Sequence, residues 1–425
     1  MEILSEIGVQ PFTKEWWNQF MTTTANLTKT SVFKDCMDKD ETALLKKYVL
    51  QIIKDLAISR TNKYGYRVYI EGILLDNFEM HAIYDKPPLA DEGIEEWSKR
   101  VFGDKKFGMI INKGEKFHVE LSKNIALKTA TLFEHIGFPR EGINFTLFIG
   151  NYDKTPLGIH QDKKGENVIH FHLGPGNKTM YTWDKTEYLE LVGEKKNNNP
   201  EIENLLPYAT EFAFKEGDLY FMPQGEYHIG TQDGLSVAIT LWQYNHTKEK
   251  LAAKLNTLLF NEFMQKNDDL LFPDKNDLDD LSGLNEVLAI VQIPEELENL
   301  NYKDLMREAY RDLKYSLNSN AGYRTSPFPK QDELFNEEDF IQVEKPFKIL
   351  YKESINGEKL HIYLRGIKIE LKNYHCIKDL IDLINAGDKN SVYDLFSVLD
   401  DEWSTDVKIY MLNLLYKNHA ICKVN

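Results

Sequence analysis

The chain has 425 residues, 42% hydrophobic and 28% charged, the proportions of an ordinary soluble globular protein, which exclude a fibre or a disordered chain. Lys and Arg total 51 against 67 Asp and Glu, and the net charge of -16 opposes a broad grip on phosphate backbones, leaving room only for a local basic patch. A chain this long suggests roughly two to four domains.

In chain order, Met1-Glu2-Ile3-Leu4-Ser5-Glu6 lacks a basic region followed by an apolar one, and no run of about 18 apolar residues occurs, so neither secretion nor a membrane span is expected. Leu44, Leu45, Tyr48, Val49, Ile52, Ile53 and Leu56 recur at helical spacing and predict an amphipathic helix over 42–59, against which Trp16, Trp17 and Phe20 are expected to pack. From Tyr66 to Trp242 short β-rich runs take over: Tyr66–Ile70, Gly108–Asn112, Asn144–Ile149, Val168–Leu173, Met180–Trp183, Leu219–Met222 and Ser236–Trp242. Strands in such succession favour a sandwich, jelly roll or barrel.

Helical periodicity returns with Leu251, Leu255, Leu258, Leu259 and Phe263, and again with Leu305, Met306, Ala309, Tyr310, Leu313 and Leu317. The acidic stretch Asn267–Asp280 between them reads as a solvated loop. The apolar faces suit packing on the barrel, with a subunit interface as the lesser reading. Ala321–Gln342 reads as a linker. Beyond it, Phe347–Tyr351 and Lys359–Leu364 flank Asn356-Gly357, a hairpin signal, and helical patterns follow at Ile377–Asn385, Val392–Leu399 and Val407–Tyr416. Strands and helices in this small terminal unit are compatible with a winged-helix-like α+β module. Cys36, Cys376 and Cys422 lie far apart without metal-ligand spacing, which argues against a disulfide framework and for a reducing, cytoplasmic setting.

The segments with chemical content are Thr155-Pro156-Leu157-Gly158-Ile159-His160-Gln161-Asp162 and Glu216-Gly217-Asp218-Leu219-Tyr220-Phe221-Met222-Pro223-Gln224-Gly225-Glu226-Tyr227-His228. Together they offer His-x-Asp and a distant His. Two imidazoles and a carboxylate on one face of an octahedral metal leave adjacent positions open, the facial triad of non-haem Fe(II) oxygenases. Residues i and i+2 of a strand point to one side, so His160 and Asp162 can share a barrel interior, with His228 arriving from another strand. The bare pair alone is a weak signal that more often describes a surface histidine beside an acid. His170 and His172 also share one side of a strand, but are read as lining residues rather than a second metal site.

The ordered frame narrows the choice. Gly217-Asp218, the strand ending in Pro223, Tyr227-His228 and Ser236-Val237-Ala238-Ile239-Thr240-Leu241-Trp242 resemble the closing strands of JmjC-type oxygenases. Upstream, Thr155-Pro156 before His160-Gln161-Asp162, and Gly174-Pro175-Gly176-Asn177-Lys178, are similar to that family's Thr-Pro-x-His-x-Asp and Gly-x-Lys segments, so the resemblance spans residues 144–246. The layout of a helical segment and a terminal winged-helix-like module after the barrel resembles the ribosomal oxygenases, whose helices mediate dimerisation.

The resemblance implies a mainly β core, a double-stranded β-helix or cupin/JmjC jelly roll. It spans 66–246, with N-terminal helices at 1–65, a helical and possible dimerisation segment with linker at 247–342, and the winged-helix-like domain at 343–425. It implies Fe(II) held by His160, Asp162 and His228, and 2-oxoglutarate as cosubstrate with Lys178 at its distal carboxylate and Thr155, Asn167 and Thr240 as further polar contacts. It implies hydroxylation of a protein or peptide side chain with O2. Two alternatives stand beside it: a small-molecule hydroxylase acting on an amino acid or natural product, and a cupin-type metal- or ligand-binding regulatory protein without 2-oxoglutarate turnover.

Overall fold

The computed structural model describes residues 9–155, 157–193, 197–387 and 389–424; Met1–Glu6 and Pro156, which entered the sequence reading, lie outside the described residues. Twelve strands build the β-rich core: β1 Ser31–Phe33, β2 Arg67–Ile70, β3 Ile73–Leu74, β4 Phe107–Ile111, β5 Ile143–Gly150, β6 His160–Gln161, β7 Glu166–Pro175, β8 Lys178–Trp183, β9 Thr210–Phe214, β10 Leu219–Met222, β11 Tyr227–Gln232 and β12 Ser236–Tyr244. They form an eight-stranded sheet, in the order β1-β10-β7-β12-β5-β4-β2-β3, and a four-stranded sheet, β6-β11-β8-β9. Every pairing within the two sheets is antiparallel.

Strand alternation gives the larger sheet two different faces. Phe145, Leu147 and Ile149 of β5, Ile169, Phe171 and Leu173 of β7 and Val237, Ile239 and Leu241 of β12 enter one apolar core. Helices α1 (Lys14–Thr23), α2 (Lys39–Ser59), α3 (His81–Tyr84), α4 (Ile94–Phe102) and α5 (Val119–Ile136) contribute buried side chains to that core. The intervening residues, among them Thr146, His170, Tyr220 and Thr240, line a cavity between the sheets. Helix α6 (Lys185–Val192) follows β8.

Helix α2 begins where Asp38 accepts the Glu41 N–H at 2.8 Å, and it buries Leu45, Val49, Ile52, Ile53 and Leu56 while Leu44 stays exposed. Trp16, Trp17 and Phe20 are buried in the same core as the apolar face of α2. Their rings contact Phe33 of β1 and Phe221 of β10, and the Trp17 indole donates to the Lys128 carbonyl of α5 at 3.0 Å. Strand β1, within the expected N-terminal region 1–65, pairs with β10. Helix α5, like α3, α4 and α6, departs from the expectation, because the stretch 66–242 carried only strand expectations. Its buried face includes Ser122, Ala126 and Thr129 beside Leu121, Ile125, Leu132 and Phe133, and small or polar members dilute the apolar period.

Helices α7 (Lys248–Phe263) and α9 (Tyr302–Ser319) pack together through Leu255, Leu259, Phe263, Ala309, Leu313 and Leu317, with the short α8 (Asn285–Ala289) between them. Leu270, Phe272 and Leu278 of the intervening loop are exposed, as expected for a solvated segment. The stretch 321–342 is more than a linker. Tyr323 is buried and donates to the Ser122 carbonyl at 3.0 Å, Thr325 donates to Glu115, and Phe335 enters the terminal core. That terminal unit holds β13 (Phe340–Val343), β14 (Leu350–Glu353), β15 (Lys359–Leu364), β16 (Ile367–Lys372), α10 (His375–Ala386), β17 (Asn390–Ser391), α11 (Val392–Ser397), α12 (Thr405–Lys417) and β18 (Ile421–Val424). The expected hairpin is present, with Glu353 opposite Leu360 and Gly357 at φ +74° in its turn. No helix among the described residues is long and apolar enough to cross a membrane.

Candidate metal and cosubstrate site

His160 lies on β6 directly opposite His228 on β11, and Asp162 follows two residues after His160. One ligand atom from each of the three lies within 4.8 Å of the others, and among the described residues no other group of three such side chains meets this spacing. Asp162 Oδ2 is 3.8 Å from His228 Nε2 and, apart from this approach, is buried without a hydrogen-bond partner. The ring orientations have local causes. His160 Nδ1 is 2.9 Å from the Gly158 carbonyl and His228 Nδ1 is 3.2 Å from the Glu226 carbonyl; a carbonyl only accepts, so each Nδ1 carries the proton and each Nε2 keeps its lone pair.

Gly158 is required where it stands. Its φ is +69°, and a Cβ there would meet the Asn199 carbonyl oxygen at 2.5 Å. Burial, then the neighbouring His228, lowers the proton affinity of His160, and burial pushes His228 down to about 4. Burial acts on Asp162 in the opposite sense and raises its carboxyl. Neutral imidazoles and a carboxylate without a partner are what a divalent cation uses as ligands.

The trio borders a cavity of about 580 Å³ between the sheets, lined also by Lys178, Thr155 and Thr240. Lys178 is only 7% exposed and, among the described residues, has no hydrogen-bond or ion-pair partner. It passes over Gly230, where a Cβ would meet Lys178 Cε at 3.1 Å and Met180 Sδ at 2.9 Å, so the bare glycine leaves room for the lysine chain. The Thr155 hydroxyl donates to the Gly230 carbonyl at 3.1 Å. Thr240 Oγ1 is 2.9 Å from His170 Nδ1.

Asn167 does not join this group. It alternates with Val168 and His170 on β7, and its side-chain oxygen accepts the Gln224 N–H at 2.9 Å, away from the cavity lining. His170 and His172 stack at 5.9 Å, but His172 is fully buried and pairs with the Gly176 carbonyl at 2.8 Å, while His170 lines the cavity. Sequence reasoning had not singled out Tyr220 or Arg67. Tyr220 lines the cavity with a buried hydroxyl that has no partner, and the Arg67 Nε is buried and unpaired in the same wall. Alternation carried a usable signal for Tyr220, because Leu219 and Phe221 are the core-facing residues of β10.

No family model matches the sequence, and no curated protein sequence matches it. The structure is similar to solved structures of YcfD, a ribosomal oxygenase from Escherichia coli. One such structure has 13% identity and a TM-score of 0.45, and the match covers 93% of this chain and 95% of that one. YcfD in complex with cobalt and 2-oxoglutarate matches at 12% identity and TM-score 0.48, and in complex with cobalt and succinic acid at 13% and 0.47, each over 96% of this chain and 98% of that one.

Proposed function

We propose that this protein is an Fe(II)- and 2-oxoglutarate-dependent oxygenase that hydroxylates a protein or peptide side chain. The observation that carries the reading is the convergence of His160, Asp162 and His228 on the wall of a cavity that also holds Lys178 without a partner. The donor set fits a mononuclear divalent metal with open positions, and the orphaned Asp162 Oδ2 is the atom such an ion would satisfy. With both in place, iron and 2-oxoglutarate supply the oxidative decarboxylation that consumes O2, yields succinate and CO2 and drives hydroxylation of a C–H bond.

The chain's own residues have definable tasks. The Gly158 and Glu226 carbonyls fix the two imidazole tautomers and leave each Nε2 lone pair available to a metal. Lys178 supplies the cation for the distal carboxylate of a dianionic cosubstrate, and Gly230 keeps its path open. The sheets on either side shield the reacting centre from bulk water. The β core is read as a double-stranded β-helix of the jelly-roll type, with functional boundaries near 66 and 246, and the unit after 343 as a winged-helix-like module. Three free cysteines support a reducing, cytoplasmic setting.

The test is anaerobic titration of the full chain with Fe(II), with and without 2-oxoglutarate, followed by visible absorbance. Bidentate chelation of iron by the 2-oxo acid produces a weak charge-transfer band, which is expected in the wild type and absent in His228→Ala. Iron binding without that band refutes the 2-oxoglutarate assignment and leaves a metal-binding barrel of another kind.

A further inference from the structure

Beside the Tyr220 hydroxyl and the Arg67 Nε, the cavity wall contains a third buried polar atom without a partner that the metal trio and Lys178 do not use. His170 is 6% exposed, and its Nε2 is fully buried without a hydrogen-bond partner, while its Nδ1 is occupied by Thr240 Oγ1 at 2.9 Å. The residue is held from both sides: β7 pairs it with Tyr220 on β10 and with Thr240 on β12. Phe214 approaches it edge-on at 5.4 Å. A well-seated imidazole with a buried, unsatisfied nitrogen, in a residue that lines the cavity, is costly unless a ligand completes it.

The neighbouring cation decides what that ligand is. Lys178 borders the same cavity and has no acid partner among the described residues. Burial first, and then the Lys178 ammonium, hold the His170 ring well below its ordinary proton affinity, so the ring is neutral and has a single N–H to give. A hydroxyl can donate to Nδ1, which leaves that N–H on Nε2. A carboxylate is an acceptor only, and between an ammonium and an imidazole N–H it satisfies both.

We infer that His170 Nε2–H and the Lys178 ammonium together receive the distal carboxylate of the 2-oxo acid, and that Thr240 is a positioning residue acting through His170. This rests on the oxygenase reading above, and it gives Thr240 an indirect role in place of a direct cosubstrate contact.

The experiment compares 2-oxoglutarate with 2-oxopentanoate, which keeps the chelating end and the chain length but lacks the distal carboxylate. Each is titrated calorimetrically and by absorbance into the anaerobic, Fe(II)-loaded full chain. His170→Phe should weaken 2-oxoglutarate by about 10-fold or more, the loss of one hydrogen bond to a charged group, and leave 2-oxopentanoate unchanged. His170→Gln keeps an amide donor and should recover part of the loss, Thr240→Val should lose less in the same direction, and Lys178→Met should lose the most. In the wild type, nitrogen-15 spectra of labelled histidine should report a ring protonated at Nε2 once 2-oxoglutarate is bound, a readout that needs no variant to fold. Equal loss for both acids in His170→Phe, no loss at all, or a bound ring protonated at Nδ1 overturns this inference alone. Failure of the wild type to bind 2-oxoglutarate overturns the oxygenase reading with it.

Discussion

Glu115 offers a quantitative check on how the cavity wall is held. Its carboxyl is 1% exposed, accepts the Phe145 N–H at 3.1 Å at the start of β5, and accepts the Thr325 hydroxyl from the packed stretch 321–342. It therefore ties together a strand that contributes Thr146 to the cavity and the segment leading to the terminal unit. Burial pushes its carboxyl from an ordinary 4.5 up to about 7, against the smaller opposing effects of Thr325, the backbone and Lys113. The folded state thus holds a proton that the unfolded chain releases between about pH 4.5 and 7, so stability falls as pH rises through that window. At 1.36 kcal/mol per pH unit the loss is about 3 kcal/mol, complete above pH 7 and absent below pH 4.5.

Glu115→Gln keeps the acceptor for Phe145 and cannot ionise. The variant should lie within about 1 kcal/mol of the wild type at pH 5 and exceed it at pH 8 by about 3 kcal/mol, a rise in melting midpoint of roughly 3 to 6 °C for a chain of this length. Thermal melts of both proteins from pH 4.5 to 8 measure the difference, in which groups common to both cancel. Parallel pH curves for the two proteins, or a Gln variant destabilised equally at pH 5 and pH 8, would refute the argument.

Two further substitutions probe the metal trio. Gly158→Ala forces a Cβ against the Asn199 carbonyl at positive φ and should cost about 2–4 kcal/mol, with weakened iron binding because the same residue's carbonyl orients His160; a melt and an iron titration both matching the wild type would sink that account. Asp162→Asn should abolish iron binding and yet raise the stability of the metal-free protein by about 1–2 kcal/mol, since it removes a buried carboxylate oxygen that lacks a hydrogen-bond partner; a metal-free variant less stable than the wild type would contradict this.

How much of this was legible in the sequence depended on whether one residue's neighbours in sequence were also its neighbours in space. Leu45, Val49, Ile52, Ile53 and Leu56 announce α2 because the helix period itself selects the buried face, and Asn356-Gly357 announces its hairpin because the turn is local. The His160 and Asp162 spacing is legible for the same reason. The bringing together of His160 with His228 was an expectation from motif order, and its structural basis is a strand register across 68 residues that no local period encodes. The packed stretch 321–342 was unreadable on similar grounds: Pro327, Pro329 and the acids describe a linker, whereas Tyr323 and Thr325 are held by Ser122 and Glu115, far away in sequence.

The same distinction separates the candidate contacts from one another. Asn167 and Thr240 were equivalent as polar residues flanking the motifs, and only the alternation within β7 and β12 decides between them, turning Asn167 toward Gln224 and Thr240 toward His170. His170, read from the sequence as one of two lining histidines, acquires a specific task only because one nitrogen is occupied and the other is not. Residue type therefore nominates a site, but the unpaired atoms left after the backbone and side chains have satisfied one another determine what the site can hold. In this cavity those atoms are the Asp162 carboxylate oxygen, the His170 Nε2, the Tyr220 hydroxyl and the Arg67 Nε, beside a lysine without a partner, a set that suits one cation and one anion in adjacent positions.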